Sequence, residues 1–461
     1  MKAVIIYQVY LTTVQTILMR YLQWHQRRGT IFSSKTAFYA HVIGGSFTMG
    51  FKESIYNIRV RIDGQCYIYN TLFGSCLTCR SFTKLSKSDL PSLIRIHMMV
   101  PSDLDEYAMA RIAYNKGVYS AAEQSFFIAP TLTCDFACPY CYAPHTKNMM
   151  NSVIADQVAD FIIGVAKNAD NISLSWVGGE PLLNWEKIYQ ISEKLNPVFE
   201  EKIASSIVVT NGYYLTNTVC DSLANCGVNT IVITLDGSAE IHNKRRVRND
   251  GKPTFDKIME NIFYAVKKDI DIILRMNVDD DNVSYIFPLI EYLKSEGLFD
   301  QVHLSLVPVK QFDSKNNYTV QFKNLKNIEK AITEATNDRV KWGGQNPVLH
   351  CCSGAKVYDF SIGPEGELYA CPIGIGKPDY IVGRISQSLP SSEYYSWYSY
   401  KETTNNEKCK NCSYFPLCLS DCRWINRNVI QHRKSCSALI ENYKESIRNH
   451  IIRSKNEHST D

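Results

Sequence analysis

Between Gln124 and Pro308 the chain repeats one pattern: a short apolar run of strand character, then a longer stretch with helical spacing of its apolar residues. The runs are QSFFIAPT, NISLSWV, ASSIVVT, NTIVITL, DIILRMNV and QVHLSLVP, and the helical stretches between them cover roughly 149–167, 183–195, 214–226, 254–268 and 282–296. Strands separated by helical crossovers pair in parallel and bury both faces, which is why these runs are rich in Val, Ile and Leu. Six such units curl into a partial barrel. The expected fold class is therefore α/β, a partial (β/α)6 TIM-like barrel over 123–310, with its chemistry at the C-terminal ends of the strands.

Two further regions flank the barrel. From Ser54 to Leu77 the alternation in SIYNIRVRIDGQCYIYNTLFGSCL predicts two or three strands, turning at Asp63-Gly64 and near Gly74. SKSDLPSLIRIHMMV and PSDLDEYAMARIAYNKGV then carry Ser/Asp caps and helical spacing, so 49–122 is expected to be a small α/β unit. Ahead of it, 1–48 reads as a peripheral extension or the product of an upstream start codon. Its uncharged run from Ala3 to Met19 is interrupted by Gln8, Thr12, Thr13 and Gln15 and lacks a small-x-small cleavage site, which argues against a signal peptide or membrane anchor. After the barrel come a polar connection over 311–349, a region rich in Cys, Gly and aromatics over 350–437, and a helix with a polar tail over 438–461.

A net charge of +4 on 461 residues does not point to nucleic acid. The sixteen cysteines do constrain function. They bunch into C-x2-C and C-x3-C spacings in a long chain, which favours metal binding in a reducing, cytoplasmic setting over a disulfide framework. Cys134, Cys138 and Cys141 follow the first barrel strand, where a barrel enzyme keeps its site. Zinc would want a fourth Cys or His at a regular spacing, and the nearest candidate, His145, is only four residues past Cys141. An iron-sulfur cluster on three thiolates instead leaves one iron for an exchangeable ligand.

CDFACPYC, with aromatic Tyr140 before the last cysteine, resembles the signature of the radical S-adenosylmethionine superfamily. WVGGEPLLN resembles the family's GGE loop, and the resemblance implies that Gly178, Gly179 and Glu180 meet the methionine amino group. TNGYYL ends the third strand and ITLDG the fourth, where Thr234 stands at the position of a ribose-binding hydroxyl. LRMNVDDDN puts Arg275 and Asn277 on the fifth strand. Arg246 and Asn277 join the implied cofactor contacts, while the choice among Arg246, Arg248 and Arg275 for the methionine carboxylate stays open. Alone, GGEP and TNG would be ordinary turns and the arginines a solvated face; their joint order along the barrel carries the weight.

Downstream, Cys352-x13-Gly366-x4-Cys371, then Cys409-x2-Cys412-x5-Cys418-x3-Cys422 and finally Cys436, resembles the seven-cysteine SPASM extension. The resemblance implies two auxiliary 4Fe-4S clusters, giving three in all with S-adenosylmethionine as cosubstrate. Cys409, Cys412, Cys418 and Cys436 would hold one auxiliary cluster. Cys352, Cys371 and Cys422 would hold the other, with an open iron, because the position where some relatives carry a further cysteine is Tyr358 and adjacent Cys351 is badly placed to reach the same cluster. A zinc-ribbon reading of CKNC and CLSDC would leave three cysteines idle. Cys66, Cys220 and Cys226 read as apolar packing residues, and Cys76 and Cys79 as a lone C-x2-C with no second pair nearby.

The resemblance implies an oxidoreductase that acts on a peptide or protein. The leading expectation is a maturase that crosslinks a ribosomally made precursor peptide, with the 49–122 unit as a candidate leader-peptide binder and an external flavodoxin or ferredoxin as electron donor. One alternative is an anaerobic sulfatase-type maturase forming formylglycine, disfavoured by the 133 residues ahead of Cys134. Another is a non-catalytic iron-sulfur electron carrier or scaffold, which would not need the strand-end motifs. No residue is singled out as the proton acceptor.

Overall fold

The computed structural model describes residues 50–79, 90–312, 318–320, 336, 341–342, 347–387, 390–398, 407–419 and 436–457. The 1–48 extension, most of the 311–349 connection and Cys422 lie outside the described residues.

The repeating pattern forms the expected parallel strands: β6 (Glu123–Ile128), β7 (Asn171–Trp176), β8 (Ile203–Thr210), β9 (Thr230–Thr234), β10 (Asp271–Val278) and β11 (His303–Pro308). They lie side by side in chain order. The intervening helices include α3 (Ser152–Val165), α4 (Trp185–Phe199), α5 (Asn217–Asn225), α6 (Ala239–Arg245), α7 (Phe255–Ala265) and α8 (Ile286–Ser295). Apart from β9, which is buried from Ile231 to Thr234, each strand alternates a buried residue toward the helices with a less buried one toward the lumen; on β10, Leu274, Met276 and Val278 are buried while Arg275 and Asn277 face inward. One continuous core, including Trp176, Ile188, Leu223, Ile262, Leu274 and Leu289, lies between sheet and helices.

The sheet does not stop at the barrel. β14 (Lys341–Trp342) pairs with β11, and at the other edge β15 (Phe360–Ile362) pairs in parallel with β6, followed by antiparallel β16 (Glu367–Tyr369) and β17 (Ile381–Arg384). The cysteine-rich region is thus built onto the barrel's first strand, the one that leads to Cys134.

Ahead of the barrel, β2 (Asn57–Ile62), β3 (Gln65–Asn70) and β4 (Cys76–Cys79) form a meander. Its turns are those expected, Asp63 and Gly64 at φ 49° and 79° and Gly74 at φ 71°. β1 (Phe51–Glu53) pairs with β5 (Met99–Pro101), and α1 (Leu90–Arg95) and α2 (Glu106–Val118) complete the unit. Asp105 caps α2 by accepting from Ala108 N.

This unit keeps a small cluster of its own around Ile68, Leu93, Met98 and Met99, but its other apolar faces pack on remote parts of the chain. Tyr56, Leu72, Phe73 and Met109 pack with Leu349, Ala355, Phe415 and Leu419, and the face of the meander carrying Ile58, Ile62, Tyr67 and Tyr69 packs on Leu417, Ile447 and Ile451. Ile447 and Ile451 belong to the C-terminal helix α12 (Ser437–Glu457). Among the described residues no helix is long and apolar enough to cross a membrane.

Candidate active site

Cys134, Cys138 and Cys141 lie on the loop after β6, and that loop is held from three sides by backbone hydrogen bonds. Its return closes on itself, with Leu132 N donating to Asn148 O at 3.0 Å and Met150 N to Pro130 O at 2.8 Å. On the β7 side, Gly179 N donates to Thr131 O at 3.1 Å and Glu180 N to Thr133 O at 2.8 Å. Glycine is required there by proximity: a Cβ on Gly178 would stand 2.2 Å from Thr131 O, and one on Gly179 2.4 Å from Thr133 O. On the far side the segment after α6 acts as a strap. Ala137 N donates to Val247 O and Asn249 N to Asp135 O, each at 2.8 Å.

Glu180 faces inward. Its carboxylate accepts from Leu182 N (3.0 Å), Thr210 Oγ1 (2.6 Å) and Asn211 N (2.7 Å), tying the GGE loop to the TNG turn at the end of β8. Burial pushes its pKa up to about 7, against the lowering effect of those donors. The side chain therefore fixes the GGE loop against the end of β8.

The arginines are sorted by their partners. Arg245 makes a bidentate pair with Asp279 (3.0 and 2.8 Å). Arg246 donates to the Tyr140 hydroxyl at 3.1 Å and lies electrostatically beside Cys138 and Asp236. Arg248 pairs with Asp135 and Asp250 and stacks 4.4 Å from the Tyr213 ring centroid. Arg275, inside the lumen, has no hydrogen bond or carboxylate partner to its guanidinium among the described residues.

Asp236, fully buried at the end of β9, joins these parts. It accepts from Tyr140 Oη and from Asn277 N (3.1 Å), and Asn277 Nδ2 approaches Tyr140 Oη at 3.4 Å. Desolvation pushes Asp236 up, with Arg246 the strongest opposing influence. Thr234 sits two residues earlier, in register with inward-facing Arg275, while Arg246, Asn277 and the GGE loop contact the cysteine loop directly. In the sequence Asp236 has no marked role within ITLDG, and Arg245 and Asp279 stand out in no motif. Their signal was an acid directly after each of two apolar strands.

The three thiols gather as a set. Cys138 is within electrostatic reach of both Cys134 and Cys141, and burial holds Cys134 up to about 12, with Cys138 raised for the same reason. Among the described residues no group of three His, Cys, Asp or Glu side chains converges tightly enough for a single metal ion. Three thiols on one strapped loop fit the donor set of an iron-sulfur cluster that leaves one iron for an exchangeable ligand.

In the C-terminal region, Cys371 Sγ lies over the turn that follows Cys352, 3.4 Å from where a Cβ on Gly354 would be. Cys409 is within electrostatic reach of Cys412 and Cys436, and Cys418 lies on the short helix Phe415–Leu419. Cys351, Cys352, Cys409 and Cys412 all pack on the core shared with the N-terminal unit. Cys66, Cys220 and Cys226 are buried, whereas Cys76 and Cys79 fall on opposite faces of β4 and so do not form a chelating pair.

The sequence profile of the radical SAM superfamily matches residues 128–305. That stretch of the chain is a radical SAM domain. A serine-type anaerobic sulfatase-maturating enzyme of Bacteroides thetaiotaomicron is 23% identical over 338 residues, covering 63% of this chain and 80% of the relative. Among solved structures, native anSMEcpe with bound AdoMet superposes with a TM-score of 0.52 at 18% identity, covering 70% of this chain and 100% of that one. Streptococcus suis SuiB bound to precursor peptide SuiA gives 0.51 at 14% identity, covering 83% of this chain and 97% of that one. At these identities the structures establish the fold: a radical SAM α/β barrel extended by a cysteine-rich C-terminal region. A 4Fe-4S cluster and S-adenosylmethionine go with that superfamily.

Proposed function

We propose that the chain is a radical SAM maturase that installs an intramolecular crosslink, thioether or carbon-carbon, in a ribosomally made precursor peptide. The observation that carries this reading is the extent of the shared architecture. The fold in common with peptide-bound SuiB takes in 83% of the chain, against 70% for anSMEcpe. The N-terminal unit supports it, because among the described residues β2 and β4 are the edges of their sheet, and an extended leader peptide can add to such an edge as a further strand.

Cys134, Cys138 and Cys141 would hold the catalytic cluster. With cluster and S-adenosylmethionine bound, reductive cleavage of a sulfonium C–S bond supplies a 5'-deoxyadenosyl radical that takes a hydrogen atom from an unactivated carbon. The protein's part is to bind and orient. The Gly178, Gly179 and Glu180 loop would meet the methionine amine, Thr234 the ribose, and Arg246 with Asn277, both anchored on Tyr140, the remaining polar groups. The barrel excludes water from the reacting carbon. Crosslink closure releases one electron and one proton from the peptide. Two auxiliary 4Fe-4S clusters would supply the electron-accepting capacity, one on Cys409, Cys412, Cys418 and Cys436, the other on Cys352, Cys371 and Cys422 with an open iron. The setting is reducing and cytoplasmic, with flavodoxin or ferredoxin as donor.

A second reading, formylglycine formation on a sulfatase, is favoured by the Bacteroides relative, 80% of which is matched. One experiment separates the two. The reconstituted enzyme is given, in parallel, the peptide encoded beside its gene and a sulfatase-derived Ser or Cys peptide, and the products are read by tandem mass spectrometry. Loss of two hydrogens with a fragmentation-resistant ring in the first peptide supports crosslinking; an aldehyde in the second alone overturns it.

A further inference from the structure

The lumen of the barrel is weakly polar, and Arg275 is the charge in it that has no carboxylate partner among the described residues. Its strand positions include Ser173, Ser175, Ser205, Ile207, Ser305 and Val307, each partly exposed. On β10 the same alternation turns Arg275 inward between Leu274 and Met276, both fully buried on the helix side. Whereas Arg245 and Arg248 face aspartates and Arg246 a phenol and an aspartate, the electrostatic neighbour that favours the charge of Arg275 among the described residues is the Tyr142 phenol.

Tyr142 brings a second cation to the same place. Lys377 Nζ stands 5.7 Å from the centroid of the Tyr142 ring. Lys377 belongs to the 371–380 loop, which begins at Cys371 and is pressed onto the catalytic cysteine loop. Gly376 there has φ +82°, and a Cβ on it would come within 2.7 Å of Pro144 and 3.1 Å of Leu132. Tyr142 is itself within electrostatic reach of Cys141, Arg275 and Cys371. Arg275 and Lys377 thus approach one half-exposed aromatic ring from the barrel side and from the C-terminal side, between the two cysteine sites, where a substrate has to lie.

We infer that Arg275 and Lys377 form a carboxylate-binding wall for the peptide, selecting an Asp or Glu side chain beside the carbon that loses hydrogen. The inference rests on the peptide-maturase reading. A guanidinium in a partly desolvated lumen binds a carboxylate through paired, charge-assisted hydrogen bonds, and leaving it unmatched is costly. Lys377 adds a second positive charge on a flexible stem, which suits a peptide that has to enter and leave.

The test uses the anaerobically reconstituted full chain with S-adenosylmethionine bound. The probes are acetyl-Gly-Glu-Gly-amide and acetyl-Gly-Gln-Gly-amide, with Kd read by equilibrium dialysis. The Glu peptide is expected to bind ~10-fold more tightly than the Gln peptide, the size of one charge-assisted hydrogen bond. Arg275→Gln and Lys377→Met should each remove most of that preference, with the Kd for S-adenosylmethionine changed by less than about twofold. Arg275→Lys, which keeps the charge and loses the fork, should retain part of it. Circular dichroism confirms that each variant is folded. Equal binding of the two peptides by the unaltered enzyme overturns the inference. So does an Arg275→Gln variant that weakens S-adenosylmethionine and leaves peptide preference intact, since the cation then serves the methionine carboxylate. If the unaltered enzyme reduced with dithionite forms no 5'-deoxyadenosine, it is the parent reading that fails, whatever the peptides do.

Discussion

The barrel and the assembly formed by the two chain ends hold their functional residues by different means. In the barrel, neighbours in sequence are neighbours in space: each strand pairs with the next, and each strand-end motif arrives beside the last one. The N-terminal unit and the cysteine-rich region meet only through contacts spanning most of the chain. Thr71 Oγ1 donates to Ser413 O at 2.6 Å, and Tyr69 Oη to Pro347 O at 3.0 Å. The first arrangement is modular. The second rests on clusters shared between remote segments, so a change on either side should be felt on the other.

The largest effect should separate the two cysteine sets. Replacing Cys134, Cys138 and Cys141 together with Ala is expected to abolish 5'-deoxyadenosine formation under dithionite, measured by liquid chromatography, while the fold of the two-ended assembly persists. Replacing Cys409 and Cys412 should instead lower iron content and product peptide while 5'-deoxyadenosine still forms. If both sets abolish it equally, the division of labour is wrong.

Phe415 tests the shared core. It is 1% exposed and packs on Tyr107 of α2 with ring centroids 4.7 Å apart. Phe415→Ala should cost about 3–5 kcal/mol. Hydrogen exchange should then speed up in α2 as well as in 407–419; a response confined to 407–419 would mean that the N-terminal unit stands alone.

Acid should weaken the two-ended assembly before the barrel. His97 is 5% exposed, stacked on Phe73 at 4.0 Å, and burial lowers its pKa from 6.5 to about 4. Between those values the unfolded chain takes up a proton that the folded chain refuses, so stability falls as pH drops from 6.5 toward 4, by at most about 3 kcal/mol. His97→Gln should flatten the pH dependence of exchange in residues 90–118, and an unchanged slope would remove His97 as its source. The smallest effect is expected of Thr71→Val, which deletes a single hydrogen bond between the ends and should cost about 1 kcal/mol in urea unfolding.

Much of the barrel was legible because its information is local. Apolar runs of strand length, separated by helical stretches, leave few topologies, and GGE, TNG and ITLDG could be placed at strand ends by counting. The part that was not legible depends on where side chains turn. Glu180 looks in sequence like a ligand contact alone, and only its orientation shows that its carboxylate also accepts from Leu182 N, Thr210 Oγ1 and Asn211 N. The arginines of NKRRVRND look interchangeable, but Arg245 is bound to Asp279, Arg246 to Tyr140 and Arg248 to Asp135.

From its sequence alone, this chain's parallel α/β barrel, its cysteine loop after the first strand and the order of its strand-end motifs were determined, because periodicity and spacing act over a few residues at a time. Only the tertiary structure decided that the sheet continues from β6 into β15–β17, that the N-terminal meander packs on Leu417, Ile447 and Ile451 while Tyr56, Leu72 and Phe73 pack beside the C-terminal cysteines, and that Arg275 has no carboxylate partner among the described residues. Those outcomes depend on contacts between residues hundreds of positions apart, or on the absence of a partner, and neither leaves a periodic trace in the chain.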